Sequence, residues 1–519
     1  MFFDLAVPSQ LMLAVLPEIV VIVGAMILLL WAGWGDDSPE RTRQVTGGAA
    51  IVSTIALAVV CWLWASDTSV SPGLIAADNF RWASSAIVLI GTILTLLLAI
   101  DYNERLGIIS GEAAVLVLLA TAGMMLLVAA RDLMIVFLGV ELMSIAIYVL
   151  AGIDRRSAKG AEAALKYFLL GSFSSAFLLY GIALVYGAVG SANLTVIGDR
   201  LADPLVSGGS LFTVGLALLL VGFGFKVAVV PFHMWTPDVY DGAPTPYTAY
   251  MASAVKAAAF AAFLRVTLEA LPNAFEQWHT ALWWLAAITM VGGNIVALAQ
   301  RNLKRMLAYS SIAHAGYLLV ALVTGTSAGV AALVFYLLAY SLATIGAFAV
   351  VSSLAGPDDR MADLERYTGL WTVRPGLAVS MAVFMLALLG FPLAGGIGFF
   401  AKWYVLQAAL QAPSPQTRLA VLLVITSAIS AGYYLYVIVV MFMRPRDPAA
   451  AQPREARFAT RFVIAASVAV ILVLGIYPTP IVRLARSSAP PDRALASPVL
   501  GAGAPAAPLL PAAALVGTP

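Results

Sequence analysis

The sequence predicts an all-α polytopic membrane protein of about 14 transmembrane helices, with two inverted five-helix repeats that each contain a broken helix. Three observations carry that fold class. Of the 519 residues, 62% are hydrophobic and 11% charged, whereas soluble domains average about half apolar and about a quarter charged. Fourteen apolar runs reach the roughly 20 residues that a helix needs to cross the hydrocarbon. Two of those runs are too long and too rich in glycine and proline to be straight helices, and each holds a lysine near its interruption.

The runs fall near 11–33, 45–66, 82–100, 110–130, 132–153, 163–188, 211–240, 244–270, 279–299, 303–324, 327–355, 374–410, 417–443 and 460–482. The first, with Pro17 and Glu18, has neither the basic leader nor the small-residue cleavage site of a signal peptide and is expected to be retained. The second holds Cys61, the single cysteine, so there is no disulfide framework, no CxxC pair and no thiolate set for an iron-sulfur cluster. Glu18 and Glu112 lie close to run ends and are expected at the interface. Glu141 lies about ten residues into the fifth run, near mid-membrane, and Lys166 opens the sixth just after Arg155, Arg156 and Lys159.

Run seven would be about 45 Å long as one helix, against a core of about 30 Å. It carries Gly222, Gly224 and Pro231 around Lys226, with His233 following in VPFHMWTPDVYDGAPTP. Lys256 sits near the middle of the eighth run, twelve residues past Pro244, and His314 sits beside Ser310 and Ser311 in the tenth. Run twelve repeats the pattern of run seven, with Gly390, Pro392, Gly395, Gly396 and Gly398 just before Lys402. Proline removes a donor and glycine weakens the helix, so both runs are expected to open their backbone in a protein-lined interior, with the two lysines as symmetry mates.

A repeat underlies this resemblance. AALKYFLLGSFSSA at 163–176 matches AALVFYLLAYSLAT at 331–344, and ELMSIAIYVL from Glu141 matches SSIAHAGYLL from Ser310, with Tyr148 on Tyr317. Five is an odd number of helices, so the second copy enters from the opposite face, the arrangement that places ion sites near the midplane of transporters. The expected organisation is three N-terminal helices over 1–109, one five-helix repeat over 110–272, an inverted one over 273–445, a last helix over 446–486, and an Ala/Pro tail over 487–519. That tail is given no chemistry.

Basic residues outside the membrane lysines divide 17 to 8 between the two faces, Lys159 and Lys304 among the 17. The positive-inside rule therefore puts both termini on the non-cytoplasmic side. No basic run is dense enough for nucleic acid. His233, His279 and His314 are too scattered for a haem or zinc site.

Four of the six lysines, Lys166, Lys226, Lys256 and Lys402, lie inside apolar runs. An ammonium at the bilayer centre costs roughly 2.5–3.5 kcal/mol, so such lysines face protein or water and mark charge movement. Plainer readings stand beside this one. Lys166 can snorkel to the headgroups or pair with Glu162 one turn earlier. Glu141 can be a protonated packing element or the ion-pair partner of Lys226, and parting such a pair would act as a proton switch. His314 is either a satisfied core residue or a relay. His233 serves a loop or a proton uptake route, and helix-turn geometry explains its surroundings equally well.

ELMS at Glu141, ALKYFLLG around Lys166, GFGFKVAVVPFHMWTPDVYDGAPTP around Lys226, ASAVKAAAF around Lys256, LKRMLAYSSIAHAGY, and GFPLAGGIGFFAKW ending near Lys402 together resemble the antiporter-like membrane subunits of proton-translocating NADH-quinone oxidoreductase, respiratory complex I. The subunit N type fits best. A lysine rather than a glutamate in the second broken helix argues against subunit M, and the lack of a long lateral helix after run fourteen argues against subunit L. The resemblance implies proton translocation through Glu141, Lys226, Lys256 and Lys402, with Lys166, His314 and His233 as further candidates. It implies no cofactor in this chain, with flavin, iron-sulfur clusters, NADH and quinone on partner subunits. It also implies a bacterial plasma membrane setting, with subunit M and the small subunits K, J and A as neighbours. The alternatives are a subunit of a multisubunit sodium/proton antiporter or membrane-bound hydrogenase-type complex, and a purely structural membrane subunit.

Overall fold

The computed structural model describes residues 2–3, 7–34, 38–70, 73–355, 363–392, 396–446 and 455–489. Gly395, Arg360, Arg454, Arg493 and the tail from 490 lie outside the described residues. Among those described, one parallel pairing, Phe2–Phe3 with Ser69–Val70, accompanies a helical chain.

The helices follow the apolar runs. They are α1 (Leu16–Gly33), α2 (Pro39–Ala65), α3 (Asn79–Leu106), α4 (Glu112–Ala129), α5 (Leu133–Ala151), α6 (Ala158–Val189), α7 (Ser210–Val227), α8 (Thr236–Gly242), α9 (Thr245–Ala270) and α10 (Phe275–Leu298). Then come α11 (Leu303–Val323), α12 (Ser327–Leu354), α13 (Pro375–Leu389), α14 (Ile397–Gln411), α15 (Thr417–Met443), α16 (Phe458–Ile476) and the short α17 (Thr479–Ser487). Among the described residues, thirteen helices are long and apolar enough to cross a membrane, and the shorter apolar α13, continued by α14, follows run twelve. The protein is a multi-pass membrane protein.

Side-chain caps set several starts. Asp78 accepts from the Arg81 N–H at α3, Asp132 from Met134 at α5, and Asn302 from Arg305 at α11, each satisfying a donor that the first helical turn leaves free. Asp132 also bridges Asn193, and Asn302 bridges Asp363, so the same contact recurs 170 positions later.

Burial sorts the helices into centre and rim. The windows of α9, α11 and α12 are 100%, 94% and 94% buried, whereas those of α2 and α16 are 33% and 28% buried. The rim exposes Met26, Ile27, Leu30, Trp31, Phe168 and Phe173, as expected of side chains that meet lipid tails. Ion pairs gather at the two ends. Arg81–Glu18, Arg131–Glu269 and Arg265–Asp78 join residues of one face, and Arg305–Asp238, Lys159–Asp241 and Arg457–Glu104 join residues of the other.

Glu18, in the first turn of α1, is buried within the protein at this face and pairs at 2.7 Å with the fully buried Arg81, because α3 begins at Asn79 and draws that arginine into its first turn. Two expectations change here. Lys304 is not a loop residue. It stands in the first turn of α11, buried, and donates to the Ala243 carbonyl at 2.8 Å. Run one starts its spanning helix at Leu16, after the short helix Pro8–Ala14.

Candidate functional site

Both over-long runs are broken. Helix α7 ends at Val227 with Ala228 in the left-handed region, φ +60°, and α8 resumes at Thr236. The freed backbone finds partners inside the protein, since the Val230 N–H donates to Thr289 on α10 and the Trp235 indole donates to the Phe225 carbonyl. Helix α13 ends at Gly390, φ +77°, and α14 begins at Ile397. The Lys402 ammonium reaches back to the last carbonyl of the first half, Leu389, at 2.8 Å, where a helix C-terminus favours a cation.

The two lysines are therefore not symmetry mates. Lys226 sits in the last turn before its break, and Lys402 sits in the segment after its own. The difference follows from which half-helix turns its side chains inward: α7 presents Lys226 to α5, and α14 folds Lys402 back over Gly390.

The expected Glu141–Lys226 ion pair is also absent. Lys226 donates to the Ser144 hydroxyl at 2.7 Å and lies 3.5 Å from the Tyr148 hydroxyl. Glu141 is three residues before Ser144 on α5, and its buried Oε1 has no partner among the described residues. Residues three apart on a helix share a face, so a short shift of the lysine would exchange one acceptor for the other.

Lys256 lies midway along α9, directly after a π turn at Met251–Val255. Such bulges re-aim side chains and recur at functional sites. Its ammonium donates to both the carbonyl, at 2.6 Å, and the hydroxyl of Ser311 on α11. One turn further along α11, His314 has Nδ1 2.7 Å from the Tyr336 hydroxyl and Nε2 3.1 Å from the Tyr434 hydroxyl, which also bonds Ser310. The next residue of that face is Tyr317, over whose ring the Lys402 ammonium lies at 4.8 Å. Asn294 joins the Tyr317 and Tyr433 hydroxyls at 2.9 Å each. His314 lies within charge range of both Lys256 and Lys402. One helix, α11, thus carries a polar stripe from Lys256 to Lys402.

Lys226 is joined to that stripe by aromatic rings rather than by hydrogen bonds. Tyr148 meets Tyr167 edge-on at 4.9 Å, Tyr167 stacks on Trp235 at 4.4 Å, and Tyr240 beyond turns its hydroxyl to Ser311. Lys166 has a side chain 41% exposed and pairs with Glu162 at 2.7 Å and Asp238 at 2.8 Å, the plainer of its two readings. His233 is half-buried in the α7–α8 break beside the exposed Met234, and its carbonyl accepts from the Thr236 N–H.

Ser144, Tyr336, Tyr434 and Asn294 were not singled out by the sequence. Hydroxyls and amides inside apolar runs are a usable signal, but only packing shows which of them share a face.

Buried ammonium groups beside two broken helices define an antiporter-type membrane subunit. Residues 130–430 match the family described as NADH:quinone oxidoreductase/Mrp antiporter, TM. A relative from Gemmatimonas aurantiaca, named NADH-quinone oxidoreductase subunit N, is 54% identical over 483 residues, covering 91% of this chain and 92% of the relative. A chain of the respiratory complex I of Thermus thermophilus with bound aureothin superposes with TM-score 0.76 at 39% identity, covering 91% of this chain and 99% of that one. A chain of the Mrp complex of Dietzia, at TM-score 0.78 and 22% identity over 92% of this chain and 97% of its own, shares the fold. The chain belongs to the NADH-quinone oxidoreductase subunit N family.

Proposed function

We propose that this chain is the proton-translocating membrane subunit N of an NADH-quinone oxidoreductase, carrying protons while electrons pass from NADH to quinone on other subunits. The observation that carries this reading is that Lys226, Lys256 and Lys402 are all buried, none more than 8% exposed, and none makes an ion pair among the described residues. A structural lysine in a membrane is normally matched by a carboxylate or reaches the headgroups. These three are held by neutral oxygens, which bind an ammonium yet leave it free to discharge.

A change at the quinone-reducing end moves Glu141 relative to Lys226. That alters the cost of keeping the ammonium charged, and the proton passes to Lys256. From there Ser311, His314, Tyr336 and Tyr434 offer donors and acceptors toward Lys402. On α12, the buried Ser341 hydroxyl has no hydrogen-bond partner among the described residues, and water there would extend the line. Moving one charge against about 180 mV needs about 4 kcal/mol, at roughly 2.3 kcal/mol per 100 mV. Changing the surroundings of a buried charge supplies energies of that order.

The remaining assignments belong to the same reading. Residues 110–272 and 273–445 are inverted repeats, supported by the bridge recurring 170 positions later. The chain performs no redox step itself, and flavin, iron-sulfur clusters, NADH and quinone reside on partner subunits. Subunits M, K, J and A are its neighbours in a bacterial inner membrane, with both termini on the non-cytoplasmic face. The Mrp likeness speaks for the fold alone, whereas the 54% identical relative favours the oxidoreductase over an independent antiporter.

The test is the reconstituted complex carrying Lys402→Ala or Lys226→Ala. Proton pumping and coupled NADH oxidation should fall while flavin-dependent NADH oxidation persists. Normal stoichiometry in both variants would make this a structural subunit. Sodium-dependent proton exchange without NADH would make it an antiporter.

A further inference from the structure

A cavity of about 400 Å³ lies between the start of α12, the second half of α14 and the short helix α17, at the face where α16 ends. That volume is within the range of small-ligand sites. Its mouth carries Ser327, Gln407, Gln411 and Arg486, and its inner end is apolar, closed by Phe335 and Tyr404, whose rings meet edge-on at 5.1 Å.

Arg486 is the charged member of the lining. Three other arginines of this face are neutralised: Arg81 by Glu18, Arg131 by Glu269 and Arg265 by Asp78. The Arg486 side chain makes no ion pair or hydrogen bond among the described residues, and its charge is felt by the Tyr404 hydroxyl across the cavity. Helix α17 is short and amphipathic, the pattern of a helix that lies at a membrane surface. It buries Ala485, turns Arg483 and Arg486 outward, and is tied down by the Asn79 amide on the Ser487 carbonyl at 3.2 Å.

We propose that this cavity binds one glycerophospholipid with an anionic headgroup, its phosphate on Arg486 and the first part of an acyl chain along Phe335 and Tyr404. A cation and amide donors at headgroup depth above an apolar slot match the two ends of such a molecule, and a juxtamembrane arginine attracts anionic lipid. The proposal does not depend on proton transfer, so it stands or falls apart from the reading above.

The experiment uses the whole purified complex in nanodiscs of phosphatidylcholine, with or without phosphatidylglycerol, and a photoactivatable phosphatidylglycerol as probe. Crosslinking to this chain should map to α12, α14 or α17 and fall at least fivefold in Arg486→Gln. It should fall likewise in Ala331→Trp, which fills the cavity from its wall while leaving the arginine. Unlabelled phosphatidylglycerol should compete, and phosphatidylcholine or inorganic phosphate should not. Equal labelling in both variants, or equal competition by phosphatidylcholine, would overturn the proposal. So would the absence of labelling because a neighbouring subunit covers the cavity.

Discussion

The Lys226 ammonium is bonded to the Ser144 hydroxyl at 2.7 Å, while Glu141, one turn away on the same helix, makes no ion pair with it. A hydroxyl thus occupies the place where a carboxylate would lock the lysine. A bond to a charged group contributes about 1.5–3 kcal/mol, so Ser144→Ala should free Lys226 to turn to Glu141. Coupled NADH oxidation in Ser144→Ala, Glu141→Gln and the double variant should then be non-additive by more than about 0.5 kcal/mol. Additive losses would mean that the two residues act separately.

Lys256→Arg keeps the charge and removes the ability to cycle a proton, because a guanidinium does not deprotonate in proteins. The complex should assemble, yet the pumping signal should fall by at least about tenfold, equivalent to about 1.4 kcal/mol of barrier. Retained pumping would show that Lys256 is a fixed charge rather than a carrier.

Tyr434 bridges Ser310 and His314 at the centre of the α11 stripe. Tyr434→Phe removes one hydroxyl and keeps the ring. A loss of about 1–3 kcal/mol is expected where a buried acceptor is left unmatched, together with slower pumping. The effect should be smaller than that of Lys402→Ala, since His314 keeps Tyr336 at 2.7 Å. Pumping rates of the two variants in the same vesicles decide the order.

Gly390 must be glycine for two reasons: its φ is +77°, and a Cβ there would stand 2.9 Å from the Lys402 side chain. Gly390→Ala should cost about 1–2 kcal/mol for the left-handed backbone alone and should displace Lys402, lowering pumping. Gly376→Ala, where a Cβ would meet nothing within 4 Å, should be neutral or slightly stabilising. Thermal unfolding of the two variants, with pumping, separates the outcomes.

Burial alone would raise the Asp78 carboxyl, but Arg265, the Arg81 N–H and Arg131 outweigh it and hold Asp78 well below the usual carboxylate range. A carboxyl lowered on folding contributes stability that is present above its unfolded value of about 3.9 and is lost as pH falls through its folded value. The melting temperature of the complex should therefore drop as pH is taken below about 4. Asp78→Asn should lower it at neutral pH and flatten that acid dependence, because Arg265, only 2% exposed, keeps Glu269 alone. An unchanged acid profile in Asp78→Asn would place the acid-sensitive group elsewhere.

Much was legible along the chain. Apolar length marks each span, because no water in the bilayer satisfies a backbone that leaves the helix. Glycine and proline beside Lys226 and Lys402 marked the two breaks, since those residues lower the cost of interrupting a helix. Lys304 was misplaced because its first-turn position reads as loop in a hydropathy window. The fate of Glu18 depended on Arg81, which is 63 residues away in sequence.

By itself the sequence determined the number of crossings, the positions of the breaks and the presence of lysines too deep to serve as anchors, all of which depend on local composition and on the thickness of a bilayer. Only the tertiary structure decided which oxygen holds each ammonium: Ser144 for Lys226, Ser311 for Lys256, the Leu389 carbonyl for Lys402. The reason is geometric. A hydrogen bond is settled by contact at about 3 Å between helices far apart in sequence, and no periodicity along one helix encodes the rotation of its neighbour.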